Sequence, residues 1–74
     1  MRINNLESLP WNKKLLVART LLGWTQVEAA ERIGTSQKMI WQWETGQVVP
    51  RKTSRKAISM TYKVNYEELF NEIA

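Results

Sequence analysis

Residues 25–46 read TQVEAAERIGTSQKMIWQWETG. The stretch carries two helix-start signals on either side of one glycine. Thr25 is followed three residues later by Glu28, the spacing of a capping box, in which the hydroxyl accepts from a backbone amide and the carboxylate accepts from the cap residue's own amide. Thr35 or Ser36 can cap the second start. Gly34, between them, is the residue that most easily takes the left-handed backbone demanded by a tight turn between helices. The spacing predicts two short helices, about Gln26 to Ile33 and about Gln37 to Glu44, across a turn of roughly 3–4 residues.

The flanking sequence supplies partners for this pair. Upstream, Trp11, Leu15, Ala18 and Leu22 recur at helical spacing, and Gly23 ends that helix. Ser8 is a candidate N-cap for it, with Pro10 tolerated in the first turn. Trp24 is expected to fold back onto the core. In the second helix Val27, Ala30 and Ile33 are placed inward. In the third, Ile40 and Trp43 are inward and Met39 is on the flank, with Gly46 as the stop. Residues 47–52, QVVPRK, form a loop, because Pro50 breaks a helix and biases Val49 toward extended geometry. Thr53 or Ser54 opens a fourth helix that buries Ile58 and Tyr62, with Ala57 or Ser59 as close-packing small residues. Asn65 caps a short fifth helix, with Glu68 as its reciprocal partner, and Leu69, Phe70 and Ile73 close the core. The expected fold class is all-α, with residues 1–8 as an arm or lead-in and residues 9–74 as one domain.

The totals agree with one small helical unit. A chain of 74 residues leaves room for a single domain, and at this size only roughly 60% of the unfolded surface is buried. The hydrophobic fraction of 43% and four tryptophans supply bulk, while Gly and Pro are too few for disorder or an all-β fold. Cysteine and histidine are absent, which excludes disulfides, the usual zinc sites and Ser-His or Cys-His catalytic pairs. All seven carboxylates are Glu. Glu67 and Glu68 are adjacent and cannot face each other across a site, and Glu28 and Glu31 lie one turn apart on an ordinary solvated face. No enzyme activity, metal or small-molecule cofactor is expected. The N-terminus lacks an apolar signal region and no run approaches the ~18 apolar residues of a membrane span, so the expectation is a cytoplasmic protein with no membrane partner.

Charge is placed unevenly. Residues 35–63 hold Lys38, Arg51, Lys52, Arg55, Lys56 and Lys63 against Glu44 alone, a local balance of +5, whereas the rest of the chain balances to −1. Basic charge concentrated from the third helix onward suits a polyanion on one face. With residues 100° apart, Ile40 and Trp43 define the core direction of that helix. Lys38, Gln42 and Thr45 then point away from it, with Gln37 and Trp41 at the edges. This outward set has no acid. Gln can bond adenine N6 and N7 together, Lys can donate to guanine O6 and N7, and a Trp can pack on a thymine methyl or along the sugar backbone. Two short helices about a tight turn form the geometry that sets a second helix into a DNA groove. The basic cluster spans a loop and parts of two helices, unlike a membrane-surface helix. A rigid groove-reading helix also suits B-form DNA better than the deep, narrow groove of A-form RNA.

These residues resemble the Cro/repressor-type helix-turn-helix family, also called the xenobiotic-response-element type, over about residues 11–70. The family's anchors fall in register on Arg19, Gly23, Thr25, Gln26, Ala30, Gly34, Ile40, Trp43, Glu44, Gly46 and Pro50. Departures are the small Ala29 where an apolar residue is usual, Tyr62 for a common Leu, and Lys63 where Gly often ends helix 4. The resemblance implies a compact five-helix lambda-repressor-like DNA-binding domain with helix 3 in the major groove. It implies base reading by Ser36, Gln37, Lys38, Trp41 and Gln42. Contacts to the DNA backbone fall on Gln26, which would also support helix-3 residues, on Thr45, and on Arg51 and Lys52 after the loop, with Arg55 in the same basic segment. Arg19 and Glu44 are implied to pair with each other, a structural ion pair that fixes helix placement more than it adds stability.

The function expected is a sequence-specific double-stranded DNA-binding transcriptional regulator, a Cro-like repressor of a phage, prophage or other mobile element. One recognition helix reads only a few base pairs, so a homodimer on a two-fold operator with half-sites ~34 Å apart is expected. The chain ends just after the fifth helix, which fits a complete Cro-like repressor or the N-terminal piece of a longer one. The competing class is an antitoxin or adaptor module acting by protein–protein interaction. Leu16, Val17 and Leu21 offer it apolar surface beyond the core stripe, unless the N-terminal lead-in covers helix 1.

Overall fold

The computed structural model describes residues 8–73. Five helices follow one another in the order α1 (Trp11–Leu21), α2 (Gln26–Ile33), α3 (Gln37–Glu44), α4 (Lys52–Tyr62) and α5 (Tyr66–Phe70). No strand occurs among the described residues, so the all-α expectation holds. The arm expected at the N-terminus falls almost wholly outside them.

Both start signals of the central pair act as their chemistry predicts. The Glu28 amide donates to the Thr25 hydroxyl at 3.1 Å and the Thr25 amide donates to the Glu28 carboxylate at 2.9 Å, a complete capping box. Ser36, not Thr35, caps α3 by accepting from the Met39 amide at 3.1 Å. Gly34 closes α2 with φ 92°, and the Gly34 and Thr35 amides both reach the Ala30 carbonyl. A Cβ at Gly34 would meet nothing within 4 Å, so backbone angle rather than space reserves this position for glycine.

The Thr25 amide, and after it the Thr25 hydroxyl, hold the Glu28 carboxyl below its ordinary value of 4.5. A depressed folded-state value contributes stability above the unfolded value, and that contribution is lost as pH falls through the folded one. We expect the melting temperature of the wild type to fall relative to that of Glu28→Gln as the pH is lowered below about 4.5. Parallel pH dependences for the two proteins in thermal melts would show that the box is open in solution.

Three helix starts and one buried face depart from the sequence expectation. Ser8 does not cap α1. Pro10 occupies the cap position with φ −66° and makes no side-chain cap bond; the Trp11 amide instead donates to the Glu72 carboxylate from the far end of the chain. α4 opens at Lys52 with Arg51 as its cap residue, so Thr53 and Ser54 lie inside the first turn. The loop can turn into helix this early because Arg55 reaches back and donates to the Pro50 carbonyl at 2.9 Å. Asn65 does cap α5, but by accepting from the Glu67 amide at 2.8 Å, with no return bond from Glu68. Val27 is 55% exposed while Ala29 is fully buried. Gln26, Ala29, Ala30 and Ile33 share one arc of roughly 100° on α2, and Val27 lies beyond its edge.

The core collects Trp11, Leu15 and Ala18 from α1, Ala29 and Ala30 from α2, Ile40 and Trp43 from α3, and Ile58, Tyr62, Val64, Leu69 and Phe70 from the C-terminal half. α3 lies against both α1 and α2, α4 against α2 and α5, and α5 returns to α1. Lys63 takes a left-handed φ of 56° at the end of α4, the position where Gly was the usual residue. Lys14 is buried within α1, its ammonium donating to the Asn71 side chain at 3.0 Å. Together with Glu72 on the Trp11 amide, this bond ties the last turn of the chain to the first turn of α1.

Candidate nucleic-acid interface

α3 is held by its inner face and by its final residue. Ile40 and Trp43 sit in the core, and Glu44, 5% exposed, is turned inward. Arg19, 9% exposed, donates to both Glu44 oxygens, Nε to Oε2 at 2.6 Å and Nη2 to Oε1 at 3.0 Å. This two-pronged, charge-assisted bond holds the guanidinium pKa above its ordinary value, against the opposing effect of burial. The third arm of Arg19 donates to the Trp24 carbonyl at 2.8 Å, and Asn12 donates to the Glu44 carbonyl at 3.0 Å. α1 thus grips both the turn before α2 and the end of α3. Burial pushes the nearby Tyr62 hydroxyl well above the usual phenol range, with the Glu44 charge adding to the effect, so Tyr62 stays neutral beside the pair.

From Glu44 a chain of amides runs to the surface. Gln26 Nε2 donates to Glu44 Oε1 at 3.0 Å, and Gln37 Nε2 donates to Gln26 Oε1 at 2.7 Å. The orientation of each amide follows from the one before. A carboxylate only accepts, so Gln26 must turn its NH₂ toward Glu44 and its oxygen toward Gln37. Gln37 must then present an N–H to Gln26, which leaves its carbonyl oxygen and its second N–H available outward.

The outward face of α3 is otherwise as the helical projection placed it. Gln37, Lys38, Trp41 and Thr45 are exposed and Gln42 is half-buried; Trp41 is 43% exposed. Removal of Glu44 to the interior leaves this face without an acid. Ser36 uses its oxygen as acceptor in the cap, so its hydroxyl proton remains available. Thr45 has spent its donor on its own helix, at 2.8 Å from the Trp41 carbonyl.

Arg51 and Lys52 are exposed at the start of α4, a helix end with no side-chain cap and no acid in its first turn. A recess of about 120 Å³ bordered by Met39, Trp43, Val48, Pro50 and Arg51 places this loop against the flank of α3. Arg55 is differently placed from its neighbours. It is half-buried and donates to the Tyr66 hydroxyl at 2.8 Å as well as to Pro50, so it braces the loop on α5. Tyr66 lies eleven residues on, and no local pattern marks the two as partners. Sequence reasoning likewise missed Arg32, whose guanidinium lies 4.4 Å over the Trp24 ring. Of the apolar set considered as a partner face on α1, Leu21 is 60% exposed, whereas Leu16 and Val17 are half-buried.

A family model described as helix-turn-helix matches residues 15–69. No curated protein and no solved structure matches the chain.

Proposed function

The chain belongs to the Cro/repressor-type helix-turn-helix family of DNA-binding transcription regulators, and from that premise we propose that it reads a specific duplex operator with α3 in the major groove. The observation that carries the reading is the Glu44–Gln26–Gln37 chain of bonds. It holds one amide in a fixed orientation on an exposed, acid-free helix face. The free carbonyl of Gln37 would accept from adenine N6 while its remaining N–H donates to adenine N7. Lys38 would take guanine O6 and N7, Trp41 a thymine methyl, and Ser36 and Gln42 the neighbouring base edges.

Gln26, Arg51 and Lys52 would hold phosphates on either side of the groove, helped by the uncapped amides at the start of α4. Arg55 has further N–H donors beyond the two it commits. Thr45 reaches a phosphate only by giving up its bond to the Trp41 carbonyl. These two are the weaker members of the backbone set.

One α3 spans only a few base pairs, so the operator is two-fold and is occupied by two copies of the chain. The role we propose for it is a cytoplasmic repressor of the Cro type, from a phage, prophage or other mobile element. Of the helix-1 residues offered for an adaptor function by protein contact, Leu21 is the one that is exposed.

In-vitro selection from random duplexes, read by sequencing, tests the proposal. We expect a palindromic site with half-sites ~34 Å apart and an adenine at one fixed position in each half. Affinity for that site should fall with salt at a slope near −0.9 per phosphate neutralised. A pool that fails to enrich, or binding indifferent to salt, would remove the DNA-reading assignment.

A further inference from the structure

Residues from the end of α1, the turn after it, α2 and the end of α4 border an open cleft of about 440 Å³ lined by Leu22, Trp24, Arg32, Thr61 and Lys63. The volume lies in the range of small-ligand sites. Its floor is apolar, from Leu22 and Trp24. Two cations border it, and no carboxylate does. Glu28, one turn before Arg32 on α2, lies outside the lining and accepts from the Thr25 amide, although its charge and that of Arg32 act on each other.

The cleft is organised around Trp24. That ring meets Tyr62 edge-on, with centroids 5.9 Å apart and planes at 66°, and Tyr62 is a core residue. The Trp24 carbonyl is held by Arg19. A residue held at its backbone by Arg19 and at its ring by Tyr62 forms a firm wall. Arg32 stacks on it at 4.4 Å, and its side chain makes no hydrogen bond among the described residues. A guanidinium stacked on an aromatic face keeps its N–H donors in its own plane, at the edge, where a carboxylate can take two of them. Stacking has therefore already restricted the side chain that would bind the anion, which lowers the ordering cost of binding.

We infer that this cleft is a binding site for a small aromatic carboxylate. The ring of the ligand lies against Leu22 and the Trp24 edge, its carboxylate on the Arg32 guanidinium with the Lys63 charge alongside, and the Thr61 hydroxyl at the rim. A neutral apolar ligand would leave the guanidinium fork unused, and a cation would meet the like charge of Arg32. The site is separate from α3 and stands whether or not α3 reads DNA.

Amide and indole NMR titration of the full chain with naphthoate, and with naphthalenemethanol as the uncharged analogue, tests the inference. Naphthoate is expected to shift the Trp24 indole N–H and the amides of Leu22, Arg32, Thr61 and Lys63 while leaving Lys38 and Trp41 in place. The alcohol should bind roughly tenfold more weakly, one charge-assisted contact in free energy. Arg32→Gln, at an exposed position, should weaken the acid by a similar factor and leave the alcohol unchanged, with resonances elsewhere confirming the fold. Equal affinity for acid and alcohol, shifts centred on α3, or no shifts at all would overturn the assignment. So would the same residues shifting on dilution of the protein alone, since a second copy would then be the occupant.

Discussion

Glu44→Ala is expected to destabilise the domain by about 3–5 kcal/mol, the cost of leaving a buried charge without its partner. Small domains hold a total of only about 5–15 kcal/mol, so this is the most damaging single change we foresee. The reason is the position of Arg19. Its guanidinium is 9% exposed and shares two bonds with Glu44; without the carboxylate, two donors and a full charge remain inside the protein. Gln26 loses its anchor in the same step. Chemical denaturation measures the loss directly. The pair Arg19→Met with Glu44→Leu should be more stable than either single variant, because an apolar pair avoids the desolvation that a lone charge incurs. A loss under about 1 kcal/mol for Glu44→Ala would place the pair in the class of solvated surface bridges and show that water reaches it.

Gln37→Ala should leave stability within about 0.5 kcal/mol of wild type, as exposed substitutions do, and weaken binding to the selected operator by about 1–3 kcal/mol. That is roughly 5- to 150-fold in affinity. The loss should fall on one base pair of each half-site: operators altered at that position should bind the variant as well as the original does. Lys52→Ala should instead weaken all sequences alike and reduce the salt slope by about 1. The contrast separates reading from charge. If Gln37→Ala and Lys38→Ala both bind the operator like wild type, a different face touches the bases and the alignment of α3 with the groove is abandoned.

What the sequence made legible is what neighbouring residues decide among themselves. Thr25 with Glu28, a cap at Thr35 or Ser36 that the structure assigns to Ser36, and the left-handed Gly34 are closed within a few residues, and their helices appear at the expected bounds. The pairing of Arg19 with Glu44 came from family resemblance, since 25 residues separate them. What escaped was capped or neutralised from a distance. Glu72 rather than Ser8 serves the first amide of α1, Arg55 rather than Thr53 shapes the start of α4, and Asn71 makes a buried Lys14 tolerable. Val27 was misplaced because α2 has only eight residues. Two turns hold too few apolar positions to separate one arc from its neighbour.

The outward residues of α3 are not equally free to change. Lys38 and Trp41 extend from the surface with side chains that no hydrogen bond among the described residues ties down, while Gln37 completes a relay that begins in the interior. If α3 reads bases as proposed, drift at Lys38 or Trp41 would retarget the protein to a new operator without touching its scaffold. Drift at Gln37 also releases the Gln26 oxygen. On that proposal, descendants of this chain that keep the relay should share one letter of their target sites and diverge in the letters beside it.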